Sequence, residues 1–284
     1  MKVRVALVLA GTAAGLAACG LFSFEERPPW RDAAEARCLA DPAALAHASF
    51  TPRRAIDGPG ICGLEHPLRV SALLDGSVAM APQPTLGCPM VAGLQIWLTR
   101  VVQPAAMQDF GEPVASLKVA AAYGCRSRDN IRGARLSEHA FGNAIDISAF
   151  VLQDGREVVV RSGWNGAPEE AAFLRAVHGG ACGIFTTVLG PGADRYHTDH
   201  IHLDLAHHNA SATSHFCQPS PQQDAEHEGV PMSYAPRPLA PAATPPAPRP
   251  AYGYADRGPT TAYSPPRRPF SISSAAADPF AITR

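Results

Sequence analysis

The sequence predicts an α+β domain, a small antiparallel sheet with flanking helices, followed by a long segment without regular structure. Three observations carry this. Short alternating runs around Asp-Gly turns mark hairpins, without the evenly spaced strand–helix–strand units of a parallel sheet. One apolar stripe at three- and four-residue spacing marks a strong helix. The last 67 residues, Gln218 to Arg284, hold 15 prolines and no hydrophobic periodicity. Such a segment cannot bury enough apolar surface to offset the entropy of ordering, so it is expected to be disordered, with residues 236–250 sampling polyproline II. Removing it and a leader from the 284 residues leaves about 180, one domain with a real core.

The elements follow in order. Lys2 and Arg4 precede an apolar run, Val5 to Ala18, that is too short to span a bilayer and sits where an export signal sits. The run ends in Leu16-Ala17-Ala18-Cys19-Gly20, which resembles the bacterial lipobox. Residues 1–19 thus read as a signal peptide with lipidation at Cys19, giving a membrane lipoprotein on the periplasmic side. Gly20, where an aspartate would favour inner-membrane retention, points to the outer membrane. Residues 20–37 read as a tether stiffened by Pro28-Pro29, with a short helix over 32–39. Strands over 67–73 and 77–80 flank the Asp75-Gly76 turn. Met90, Val91, Leu94, Trp97, Leu98, Val101 and Val102 place a helix over 89–107, and residues on such a stripe are read as core. A strand over 114–122 follows, then a hairpin of 144–152 and 157–161 around Asp154-Gly155. A helix over 168–177 carries Glu169 and Glu170 in its first turn, where acidic groups favour the dipole. A last strand covers 200–205. The domain spans 38–217 and the tail 218–284.

Six cysteines remain after Cys19: Cys38, Cys62, Cys88, Cys125, Cys182 and Cys217. An even number in an exported chain favours three disulfides, of unspecified pairing, and no CxxC pair suggests a four-cysteine zinc site. The alternative is a catalytic thiol, with Cys125 beside Arg126 the candidate. Charge excludes one class of function. Lys+Arg 24 against Asp+Glu 25 leaves no basic excess for phosphates, so no nucleic-acid partner is expected.

The histidines carry the chemistry. Five of eleven fall between 197 and 208, in His197-Thr198-Asp199-His200-Ile201-His202-Leu203-Asp204 and just beyond. On a strand His200 and His202 share one face while Ile201 and Leu203 share the other. Upstream, Ser137-Glu138-His139-Ala140-Phe141-Gly142-Asn143-Ala144-Ile145-Asp146 sets His139 and Asp146 seven apart, with Gly142 allowing a close turn. Two histidines and a carboxylate make a three-ligand zinc set that leaves a position open, the layout of a catalytic site. Either segment alone is an ordinary turn or strand.

Together, Ser-x-His-x-x-Gly-x-Ala-x-Asp and His-x-His resemble the zinc D-alanyl-D-alanine carboxypeptidases, whose fold murein endopeptidases share. The chain is similar above all to the extensin-like C-terminal domain family, through 136–140, Leu189-Gly190-Pro191-Gly192 and 197–202. The resemblance spans 62–217. It implies a zinc D-Ala-D-Ala carboxypeptidase-like fold with Zn2+ held by His139, Asp146 and His202. It makes Asp199 the general base, in a position where many relatives carry glutamate, with His200 beside the site as the next candidate. It assigns His197 to transition-state stabilisation, Ser137 to substrate contact, and Arg126 to the oxyanion or a substrate carboxylate. Cysteine replaces a tyrosine of the family pattern before Arg126, which leaves Arg128 a second candidate. The implied activity is zinc-assisted hydrolysis of D-amino-acid-containing peptide bonds of peptidoglycan. The alternative is a non-catalytic wall-binding lipoprotein that keeps the peptidase fold.

Overall fold

The computed structural model describes residues 26–220. The signal segment with Cys19 and the proline-rich tail from 221 lie outside the described residues. After Pro28-Pro29, helix α1 (Trp30–Ala40) is tied to the start of the apolar stripe by the Cys38–Cys88 disulfide. Strand β1 (Ser49–Pro52) leads to a two-stranded ladder of β2 (Ile56–Asp57) and β3 (Gly63–Leu64). The first expected hairpin forms as β4 (Leu68–Leu73) and β5 (Val78–Ala81), and β6 (Thr85–Leu86) returns to pair with β4.

The apolar stripe forms a nearly continuous rod: α2 (Cys88–Trp97), one π turn over Leu98–Val102, and α3 (Gln103–Phe110). It stops at Gly111, whose left-handed φ of 69° suits a residue without Cβ. Strand β7 (Val114–Ala121) follows, then the second hairpin, β8 (Ala144–Leu152) with β9 (Glu157–Val159). Residues 160 and 161, expected to continue β9, instead open the single turn α4 (Val160–Gly163). Helix α5 (Pro168–Ala181), β10 (Thr187–Leu189), β11 (Ile201–Asp204) and β12 (Phe216–Gln218) complete the described chain.

The expected small antiparallel sheet is corrected. Ten strands form one mixed sheet, in the order β1-β4-β5-β7-β8-β11-β10-β12 with β6 and β9 attached to β4 and β8. Two pairings are parallel, β5 with β7 and β10 with β12. A parallel pair needs a crossover, and the 88–110 rod is that crossover between β5 and β7. Strands of two to four residues such as β1, β6, β10 and β12 have too few positions to show a period; pairing with distant strands defines them.

The rod packs on one sheet face. Met90, Val91, Leu94, Trp97, Leu98 and Val102 are fully buried with Phe150, Phe173 and Phe185, as the core reading of the stripe requires. The Trp97 indole stands edge-on to Phe150 and donates its N–H to the carbonyl of Val177 at 2.9 Å. The Cys62–Cys125 and Cys182–Cys217 disulfides complete three bridges. Cys125 is therefore no free nucleophile. The three bridges suggest an extracytoplasmic location.

Candidate metal centre

Alternation along β8 and β11 makes the site. Ile145 and Ile147 on β8, and Ile201 and Leu203 on β11, enter the apolar core. Asp146 and His202 lie between them and are paired directly across the antiparallel ladder. The two strands thus place a carboxylate beside an imidazole on the face opposite the core.

The third group arrives on a turn. Ser137 caps the 3-10 turn Glu138–Phe141, its hydroxyl accepting from the His139 backbone N–H at 3.5 Å. Gly142 closes the turn at φ 62°, against Leu64 and Gly87; a Cβ there would stand 2.6 Å from the Leu64 side chain. The left-handed φ and the nearby Gly87 backbone favour glycine here, in keeping with the close turn read from the sequence. His139, 1% exposed, donates from Nδ1 to the carbonyl of Ala122 at 2.6 Å. That leaves its Nε2 lone pair 3.2 Å from Asp146 Oδ1 and 3.2 Å from His202 Nδ1. His202 Nδ1 lies 2.8 Å from the same Asp146 oxygen, while Nε2–H donates to Asp204 Oδ2 at 3.0 Å.

Two imidazole nitrogens and one carboxylate oxygen therefore converge in a buried group that could hold a metal ion. The donor chemistry fits: each ring is fixed by its far nitrogen on a carbonyl or a carboxylate, as metal-ligating histidines are. Burial by itself would raise the Asp146 carboxyl, but the hydrogen bonds and charges of His139 and His202 prevail and hold it well below the usual carboxylate range. Burial likewise opposes charge on His202, yet Asp146 and Asp204, bonded one to each nitrogen, push it up to about 10. A second group, His178 with Cys182 and Cys217, also comes together, but its two sulfurs are bonded to each other.

A family model described as "Extensin-like protein C-terminus" matches residues 36–218. The chain belongs to this extensin-like family. No curated protein and no solved structure matches it.

Around the buried triad of this extensin-like domain stand the other residues singled out from the sequence. Arg126 reaches Asp146 Oδ2 through Nη2 at 3.5 Å and keeps part of its guanidinium exposed. Arg128, the second candidate, is exposed on the loop beyond it. His200 places Nε2 3.7 Å from Asp146 Oδ1, so it shares the site face with His202, and its Nδ1 is 2.8 Å from Asp199 Oδ1. Asp199 itself is about half exposed. His197 donates from Nδ1 to both oxygens of Asp194, at 2.8 and 2.9 Å, and its ring stands edge-on to that of His202. Burial lowers the His197 pKa, with the Asp194 contact opposing. A cleft of about 290 Å³ is lined by Gln83, Thr85, Val119 and Ala122, the last of which also holds His139 through its carbonyl.

Sequence reasoning passed over three supports: Asp204, Asp194 and the Ala122 carbonyl. Asp204 was within reach, because two residues after His202 on a strand lies on the same face. The other two had no comparable signal.

Proposed function

We propose that this domain is a zinc-dependent peptidase of the cell envelope, hydrolysing D-amino-acid-containing peptide bonds of peptidoglycan. The observation that carries the reading is the convergence of His139 Nε2, Asp146 Oδ1 and His202 Nδ1 with both rings locked from behind. A zinc ion bound there supplies Lewis-acid activation of water and of the scissile carbonyl.

The chain's own groups do the rest. Arg126, always charged, offsets negative charge on the reacting carbonyl oxygen or clamps a substrate carboxylate. Asp199 takes a proton from the attacking water and returns it to the leaving amine, and the His200 imidazole bonded to it fixes its direction. His197, whose Nδ1–H is held by Asp194, faces the same region and in its protonated form offers Nε2–H to the transition state. Ser137, the buried cap of the turn that carries His139, is the substrate contact in this reading. Lipidation at Cys19 would hold the domain at the membrane, within reach of the wall. Among the described residues no helix is long and apolar enough to cross a membrane.

The test is digestion of purified muropeptides by the zinc-loaded protein, with products read by mass. Release of terminal D-alanine, or separation of cross-linked dimers, is expected and identifies the bond. Stoichiometric zinc with no product from any muropeptide would replace the peptidase with the wall-binding lipoprotein reading.

A further inference from the structure

Arg31 lies before residue 36, where the family match begins, and within the stretch expected to be a tether. It is nonetheless built into the site's support. Its guanidinium meets Glu138 in a fork, Nη1 to Oε2 at 2.6 Å and Nη2 to Oε1 at 2.7 Å; Glu138 is buried, and the Arg31 side chain is only 9% exposed. Glu138 directly precedes the ligand His139. Its Oε2 also accepts from the Asn143 amide at 2.7 Å, so the pair closes the 138–143 turn. The Arg31 guanidinium also lies over the Phe141 ring of that turn, 3.8 Å from its centroid.

The neighbouring residue reaches the second ligand segment. Trp30 stacks on His207 with centroids 3.7 Å apart, just after Asp204, and the Leu205 N–H donates to the Asn143 carbonyl. Trp30 and Arg31 therefore touch both segments that carry ligands, 138–146 and 202–207.

We propose that Arg31, acting through Glu138, is a positioning residue for the metal centre, and that the N-terminal helix is a working part of the site. This rests on the metal reading of His139, Asp146 and His202. A bidentate guanidinium fixes both carboxylate oxygens in one plane. Without it a buried carboxylate is left uncompensated beside the metal group, and the turn bearing His139 must shift to rehydrate or protonate it.

The experiment uses the full chain as wild type, Arg31→Met and Arg31→Lys, with Arg156→Met, a remote exposed ion-pair arginine, as control. Zinc affinity is measured by chelator competition, ligand geometry by the visible spectrum of the cobalt form, and folding by melting of the metal-free protein. Arg31→Met is expected to weaken zinc by about 10- to 100-fold, the range for groups supporting a metal ligand, and to alter the cobalt spectrum. Arg31→Lys, which keeps the charge and loses the fork, should recover part of both, and it carries the test if the methionine variant does not fold. Arg156→Met should match wild type. Wild-type zinc affinity and an unchanged cobalt spectrum in the Arg31 variants, with only the melting temperature lowered, would reduce the pair to a structural contact and overturn the proposal. Failure of the wild type to bind zinc would show separately, and would remove the metal reading with it.

Discussion

The two faces of β8 and β11 come from alternate residues of the same two strands and are both buried, yet opposite physics holds them. Toward the rod, Ile145, Ile147, Ile201 and Leu203 join Trp97 and Phe150 in a close-packed apolar layer. Toward the turn, Asp146, His202 and Asp204 are as well hidden but are held by charge-assisted hydrogen bonds. Histidine shows the contrast within one residue type. His178, on α5 and fully buried, donates Nε2–H to the Gln218 carbonyl and has no partner for Nδ1 among the described residues; burial lowers its pKa to about 4. His202 has a carboxylate on each nitrogen and is pushed up to about 10 despite its burial. Burial alone makes a histidine a neutral core residue. Burial between two carboxylates gives a histidine whose proton a metal ion can replace.

The largest break in this contrast should come at the polar face. His202→Ala removes one of three donors, so zinc content and muropeptide turnover should fall together, to background. Asp199→Asn leaves the donors intact and should keep zinc near stoichiometric while turnover drops about 10²- to 10⁴-fold, the range for loss of a general base. Metal analysis beside turnover separates the two; zinc lost from the Asp199 variant would make that residue a ligand.

Breaking the apolar face should do the reverse. Trp97→Ala leaves a void between Phe150 and Phe185 and removes the indole N–H bond to the Val177 carbonyl, and should cost about 3–5 kcal/mol in denaturant unfolding. The zinc affinity of the molecules that stay folded should not change. A weakened zinc site in that variant would mean that the faces are coupled through the strands.

The lone core histidine sharpens the comparison through pH. The unfolded chain takes up a proton at His178 near 6.5, and the folded chain refuses it until about 4. Its contribution is therefore complete above 6.5 and is lost as pH falls through that window, on the order of 3 kcal/mol for a shift of this size. His178→Gln, which can still donate to the Gln218 carbonyl, should flatten that part of the stability–pH curve; an unchanged slope would place its origin elsewhere. The smallest effect is expected at Asp204→Asn. The amide oxygen can still accept from His202 Nε2–H but without charge, so zinc should weaken by about tenfold. Full affinity would show that His202 needs only an acceptor there.

Much of the site was legible because its signals are local. Seven residues from His139 to Asp146, with Gly142 between them, define a turn entering a strand, and the His200–His202 alternation defines a face. The core stripe from Met90 to Val102 was legible for the same reason, since a helix repeats within its own length. Asp204 belonged to that legible set and was passed over, as a strand acid without an assigned task. The Arg31–Glu138 fork was not legible. Nothing near either residue marks its partner 107 positions away.

By itself the sequence determined which segments are helix and hairpin, which residues are core, that the cysteines bridge, and which three side chains can meet a metal. The first three follow from spacing within one element or from the number and kind of residues; the choice of His202 over His200 rested on the family resemblance. Only the tertiary structure decided that β7 lies parallel to β5 across the rod, that Cys125 pairs with Cys62, and that residues before the family match lock the turn behind His139. Those outcomes depend on which distant surfaces meet when the core closes, and contacts separated by 37 to 107 residues leave no periodic trace in the chain.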